Sequence, residues 1–252
     1  ATITEGALVG VVGGDTVTVS GSGTFADKNV GTDKDVTTTY ALAGTDGGNY
    51  SLAGEILQAD ISQKTITITG SSAADKVYDG NTTATITEGA LVGVVGGDTV
   101  TVSGSGTFAD KNVGTDKNVT TTYALAGTDG GNYSLAGETL QADVSQKTIT
   151  ITGSSAADKV YDGNTTATIT EGALVGVVGG DTVTVSGTGT FDNKNVGTDK
   201  DVTTTYALAG TDGGNYSLAG ETLQADISQK TITITGSSAA DKVYDGNTTA
   251  TI

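Results

Sequence analysis

The chain has 252 residues, 39 of them Gly, with 29 Asp and Glu against 12 basic residues and a net charge of −17. It has no Cys, His, Met, Trp or Pro, which excludes a disulfide framework, thiolate and imidazole metal ligands, and a histidine general base. The negative charge repels nucleic acid and anionic membrane, and no run reaches the roughly 18 apolar residues of a membrane helix.

A repeat dominates the order of residues. Lys76-Val-Tyr-Asp-Gly-Asn-Thr-Thr-Ala-Thr-Ile86 returns at Lys159–Ile169 and Lys242–Ile252, 83 residues apart each time. Residues 1–83, 84–166 and 167–249 align without gaps. The first two windows differ only at Asp35/Asn118, Ile56/Thr139 and Ile61/Val144. The first and third differ at Ser22/Thr188, Ala26/Asp192, Asp27/Asn193 and Ile56/Thr222. Near-identical copies do the same job, so function belongs to an array. The expected division is an incomplete repeat at 1–63 lacking its first strands, complete repeats at 64–146 and 147–229, and the first strands of another at 230–252.

Within 64–146, Lys64–Thr69 alternates Thr and Ile with period two, a half-buried strand. Lys76-Val77-Tyr78 is a short strand broken by the tight turn Asp79-Gly80-Asn81. Thr82–Thr87 is the next strand, and Leu91–Val95 a short apolar one ended by Gly96-Gly97-Asp98. Thr99–Ser103 alternates again, and Ser105–Ala109 carries Phe108. Asp110–Lys117 is a charged turn. Val119, Thr121, Tyr123 and Leu125 share one face of a longer strand. Gly127–Asn132 is a Gly-rich turn, after which Tyr133–Ala136 and Glu138–Val144 finish the unit. No window has a helical period. Some seven to nine short strands indicate a sandwich or barrel, and the fold expected is an all-β, elongated tandem array of Ig-like antiparallel β-sandwich repeats without helix. The junction Leu140–Thr152 has neither Pro nor Gly and reads as nearly continuous extended chain, which suits a stalk.

Three linked motifs, Lys76–Thr85, Phe108-Ala-Asp-Lys-Asn-Val-Gly-Thr115 and Gly131-Asn-Tyr-Ser-Leu135, resemble the YDG repeat domain. That family occurs as tandem copies in large secreted and surface proteins of bacteria, including filamentous-haemagglutinin-like adhesins. The resemblance implies an extracellular, cell-surface location and a stalk or adhesin-repeat role, and it transfers no catalytic residue.

Each candidate site competes with ordinary turn chemistry. Tyr78-Asp79-Gly80 reads as a ligand platform or as a turn whose Tyr closes the sandwich edge. Asp75, Asp79 and Asn81 could offer oxygens to calcium but lack the EF-hand spacing. Gly104–Ala109 matches G-x-G-x-x-A without the helix that a phosphate needs. Glu88 and Glu138 could form a glycosidase pair, yet solvated charges explain them. A Lys–Asn crosslink needs a buried Lys, whereas Lys64, Lys76, Lys111 and Lys117 fall at strand ends or in turns. Asn81-Thr-Thr83 and Asn132-Tyr-Ser134 are glycosylation sequons in form.

The reading is therefore a non-enzyme with no catalytic, cofactor-binding or metal-binding residue assigned. The expected partners are neighbouring copies, head to tail, with the tail 230–252 completing the first repeat of the next chain. The alternative is an adhesive module recognising glycan or a host or biofilm surface through its turns. Neither nucleic acid binding nor membrane insertion is expected.

Overall fold

A computed structural model describes residues 2–250. Those residues are all-β, and their only helical pieces are single 3-10 turns at Gly47–Asn49, Gly130–Asn132 and Gly213–Asn215. The chain forms two compact units. One holds the residues up to Lys76 together with Asn81–Val144; the other holds Val77–Gly80 together with the residues from Ser145 on.

In the first unit, β1 (Thr18–Phe25), β2 (Gly31–Ala43) and β3 (Ile56–Ile61) make one antiparallel sheet. The chain then runs through β4 (Lys64–Thr69), β5 (Ser72–Ala73), β6 (Lys76–Val77), β7 (Thr83–Ala84), β8 (Ile86–Thr87), β9 (Ala90–Val92), β10 (Thr101–Phe108), β11 (Gly114–Ala126), β12 (Tyr133–Leu135) and β13 (Thr139–Ser145). Strands β13, β11, β10 and β7 are neighbours in one sheet, and β4 lies between β12 and β9 in another. β4 runs parallel to β12, with Lys64 opposite Tyr133 and Ile66 opposite Leu135. It runs antiparallel to β9, with Ile68 opposite Leu91.

The second unit repeats this plan. Its main sheet is ordered Lys159–Val160, Thr222–Ser228, Gly197–Ala209, Thr184–Phe191, Thr166–Ala167. Lys147–Thr152 sits between Tyr216–Leu218 and Ala173–Val175. The core of this unit is Phe191, Val202, Ile227, Ala167 and Ala225, with Tyr161, Ile169 and Leu223 packed against it. Phe191, Val202, Ala225 and Ile227 are inward positions of the three longer strands, and Ala167 comes from the short strand Thr166–Ala167.

Three local expectations change. Thr99–Ser103 and Ser105–Ala109 are one strand, β10, running through Gly104 and Gly106. A Cβ on Gly104 would lie 3.0 Å from the Tyr123 ring, and one on Gly106 would lie 2.5 Å from Ile86. The glycines make room for those side chains rather than ending the strand. Thr82–Thr87 splits instead: Thr83–Ala84 pairs with β10, while Ile86–Thr87 pairs with β5. The chain changes sheets there. The Asp110–Lys117 turn ends at Gly114, where β11 begins with a bulge between Gly114 and Lys117. Asp116 carries the bulge in the left-handed region at φ 49°, which a short polar side chain tolerates. Its N–H donates to the Asp143 carboxylate at 2.8 Å.

Lys-Thr-Ile-Thr-Ile-Thr forms a strand at 64–69 and at 147–152, but 230–235 carries none. Residues 2–17, at the other end, also carry no strand.

Candidate functional site

The signature loop is closed by its own lysine. In the second unit, Lys159 Nζ donates to Asn164 O at 3.3 Å, Asn164 Oδ1 at 2.9 Å and Thr166 O at 3.1 Å, and pairs with Asp162 at 2.8 Å. Asn164 Oδ1 also accepts the Thr166 N–H at 3.0 Å, the local bond that favours Asn in turns. In the first unit Lys76 Nζ reaches Asn81 O, Asn81 Oδ1 and Thr83 O, and stands 5.8 Å from the Phe108 ring centroid. Lysine, asparagine and threonine at this spacing therefore build a self-contained plug. Its valine points outward, as the half-exposed Val160 shows.

The tyrosine of the plug has a built seat. Tyr78 is 1% exposed. Its hydroxyl donates to Asp181 Oδ2 at 2.7 Å. The same oxygen accepts the Tyr216 hydroxyl at 2.5 Å, and the two rings meet edge to face with centroids 5.4 Å apart, the geometry aromatic quadrupoles favour. The Tyr216 hydroxyl accepts the Val178 N–H at 2.9 Å, and the Tyr78 N–H donates to Ser145 O at 2.9 Å. Gly80, at φ +82°, fits under Val178, where a Cβ would come within 2.8 Å of Cγ1. Glycine is needed for the backbone conformation and for the approach. Burial, then the Asp181 hydrogen bond, push the Tyr216 hydroxyl up to about 12.

The first unit holds two further copies of that seat. Tyr133 donates to Asp98 Oδ2 at 2.6 Å and accepts the Val95 N–H at 3.0 Å. Tyr50 donates to Asp15 Oδ2 at 2.6 Å and accepts the Val12 N–H at 3.0 Å. The Asp98 hydrogen bond is the main cause raising Tyr133, and the Asp15 bond the main cause raising Tyr50.

Around the Asp98 seat, residues 28–63 are held to residues 98–132 inside the first unit. Lys28 Nζ bridges Asp98 at 2.6 Å and Asp129 at 3.0 Å; its hydrogen bond is the main cause holding Asp98 below the ordinary aspartate range, while the Thr99 N–H, then Lys28, lower Asp129. Asn132 accepts the Val30 N–H at 2.9 Å and donates to Asn29 Oδ1 at 3.1 Å. Gln63 Nε2 donates to Gly131 O at 3.1 Å.

Other candidate residues make local contacts. Asp75 Oδ1 accepts the Asp143 N–H at 2.7 Å, and among the described residues no three carboxylates gather to hold a metal. Glu88 accepts the Gly104 N–H at 2.6 Å, and Glu138 the Tyr123 hydroxyl at 2.7 Å. Lys117 pairs with Asp110 at 2.7 Å. Lys200 reaches Asp192 at 2.7 Å and Asn193 Oδ1 at 3.0 Å. Gly104–Ala109 is strand and turn, with no helix following. The side-chain amide of Asn132, the second sequon, is engaged on both atoms by Val30 and Asn29.

Sequence reasoning placed Tyr78 at a sandwich edge and missed its seat. The seat residues were legible only as a turn, Gly96-Gly97-Asp98, and as a strand start, Tyr133. The available signal was their fixed phase: Asp and Tyr recur as Asp15 and Tyr50, Asp98 and Tyr133, Asp181 and Tyr216.

No curated protein matches the chain. A family model described as the YDG domain matches residues 1–56, 62–141 and 145–224. Since these three stretches cover most of the chain, it belongs to the YDG domain family.

Proposed function

We propose that the chain is a structural repeat of an extracellular bacterial fibre or adhesin stalk. Its repeats at 64–146 and 147–229 are read as Ig-like antiparallel sandwiches in an elongated array. The segments 1–63 and 230–252 are read as the two parts of a sandwich that neighbouring copies complete by strand donation.

The observation that carries the reading is the clamp within the first unit. Lys28, Asn29 and Val30 of one repeat grip Asp98, Asp129 and Asn132 of the next, and Gln63 holds Gly131 directly before β4 begins. Polar groups dedicated to a neighbouring repeat, with no flexible spacer, suit a load-bearing series better than an independent pocket. An adhesive platform asks for aromatic rings free in turns, whereas Tyr50, Tyr133 and Tyr216 spend their hydroxyls on Asp15, Asp98 and Asp181. No residue is assigned to catalysis, and the place of action is the cell surface.

Electron microscopy of the purified chain at high concentration tests this reading. Fibres with an axial period set by one 83-residue repeat are the expected result. Dispersed single particles at every concentration would remove strand donation from the account.

A further inference from the structure

The third repeat departs from the first two at a pair of neighbouring positions. Asp192 and Asn193 stand where the first repeat has Ala26 and Asp27 and the second has Ala109 and Asp110. Both changes meet one lysine. The Lys200 side chain is 8% exposed, so it is a buried amine rather than a solvated turn cation. Its stem lies across Gly197, where a Cβ would stand 3.3 Å from Lys200 Cγ and Cδ.

Three side chains close a triangle there. Lys200 Nζ donates to Asn193 Oδ1 at 3.0 Å and pairs with Asp192 Oδ1 at 2.7 Å. Asn193 Nδ2 donates to the other Asp192 oxygen, Oδ2, at 2.8 Å. Asn193 Oδ1 also accepts the Asn195 N–H at 2.9 Å. One carboxylate thus touches both the amine and the amide nitrogen, and a backbone N–H is aimed at the carboxamide oxygen. These are the parts of an acyl transfer: a nucleophile, a proton carrier between nucleophile and leaving group, and an oxyanion donor. In the first two repeats Lys34 and Lys117 pair with Asp27 and Asp110, carboxylates rather than carboxamides, and Ala26 and Ala109 offer no proton carrier.

We infer that Lys200 and Asn193 join in an intramolecular isopeptide bond, with Asp192 carrying the protons. Asp192 Oδ1 takes a proton from Nζ, and the freed lone pair attacks Asn193 Cγ. The Asn195 N–H holds the charge that develops on Oδ1. Asp192 Oδ2 protonates Nδ2, and the Cγ–Nδ2 bond breaks. Nζ gives up two protons in all, the leaving nitrogen takes both and departs as ammonium, and Asp192 ends as the carboxylate it began. Atoms, charge and electrons balance with no co-reactant. Holding the two groups in contact before reaction supplies much of the rate. The bond ties the turn between Thr184–Phe191 and Gly197–Ala209, and it does not depend on the fibre reading above.

Mass spectrometry of the intact chain tests the bond. The expected mass is lower than the sequence requires by one ammonia. Trypsin is expected to cut after Lys194 but not after Lys200, leaving the peptide that ends at Lys194 joined to the one that begins at Asn195. Asp192→Ala is expected to restore full mass and cleavage after Lys200; it keeps the fold, since Ala stands there in the other two repeats. The converse variant Ala109→Asp/Asp110→Asn gives the second repeat the same triangle and is expected to release a second ammonia, with the new bond at Lys117. A chain at full mass overturns the bond. So does an ammonia lost without joined peptides, the mark of a succinimide at Asn193. A bond that forms equally well in Asp192→Ala overturns the role of the carboxylate.

Discussion

Lys-Thr-Ile-Thr-Ile-Thr occurs at 64–69, 147–152 and 230–235. At the first two places it is a strand between two others, and Ile66 and Ile149 are each 2% exposed. At the third it is no strand, and Ile232 and Ile234 are each 85% exposed. Period-two alternation and β-branching are identical in all three, so local preference is identical. What differs is the company. Lys147–Ile149 has Tyr216–Leu218 alongside, and Thr150–Thr152 has Ala173–Val175. Hydrogen bonds and apolar cover from flanking strands decide whether this hexapeptide is a strand. The same holds for the three tyrosine seats, of which the one at Asp181 and Tyr216 holds a second ring, Tyr78.

The sharpest break of the comparison is a pair of identical substitutions. Ile149→Ala should cost about 2–5 kcal/mol, the transfer and cavity terms of a buried isoleucine, whereas Ile232→Ala should change dilute-solution stability by less than about 0.5 kcal/mol. Urea unfolding of the two variants checks this. Equal losses would mean that the tail is packed in the dilute chain.

The tyrosines give the next contrast. Tyr78→Phe removes one donor from Asp181 and should cost about 1–3 kcal/mol, while Tyr244→Phe should leave a dilute chain unchanged. Thermal unfolding distinguishes them. Glycine substitutions sharpen the same point. Gly80 and Gly163 both sit at positive φ, near +82° and +87°, but only Gly80 has a neighbour within 4 Å of an added Cβ. Both alanine variants meet about 1–2 kcal/mol of backbone strain. Gly80→Ala should lose about 1 kcal/mol more through Val178, measured by the same unfolding assay.

Two weaker effects follow from charge. The folded-state value of Tyr216 is raised to about 12 from 10.0, so its contribution is complete below pH 10 and is lost as pH rises toward 12. Asp98 and Asp129 are held below 3.8 by partners that include Lys28. Their contribution is present above pH 4 and is lost as pH falls through the depressed values. A pH series of melting temperatures should fall at both extremes and stay flat between about 5 and 9. Lys28→Met should remove part of the acid limb and change the melting temperature at neutral pH little, since Lys28 is solvent-exposed.

Much of this fold is legible locally. Alternation places Lys64–Thr69 and the Val119–Leu125 face, and Asp79-Gly80 places a turn. The sheet switch between Ala84 and Ile86 is not legible, because both residues are apolar and extended. Gly104 and Gly106 misread as breaks because the side chains that fill their space, Tyr123 and Ile86, come from other strands. The seat is the hardest part. Tyr78 finds Asp181 at a separation of 103 residues, beyond any local period. Only the shared phase of the repeats could point to it.

We propose that neighbouring copies supply the flanking strands that residues 230–235 do not have in this structure. Amide hydrogen exchange of Lys230–Thr235 beside Lys147–Thr152, followed from dilute to concentrated chain, tests it most directly. The account predicts a tail that exchanges freely when dilute and gains the protection of its buried twin as concentration rises. A tail that stays unprotected at every concentration while Lys147–Thr152 remains protected would contradict it.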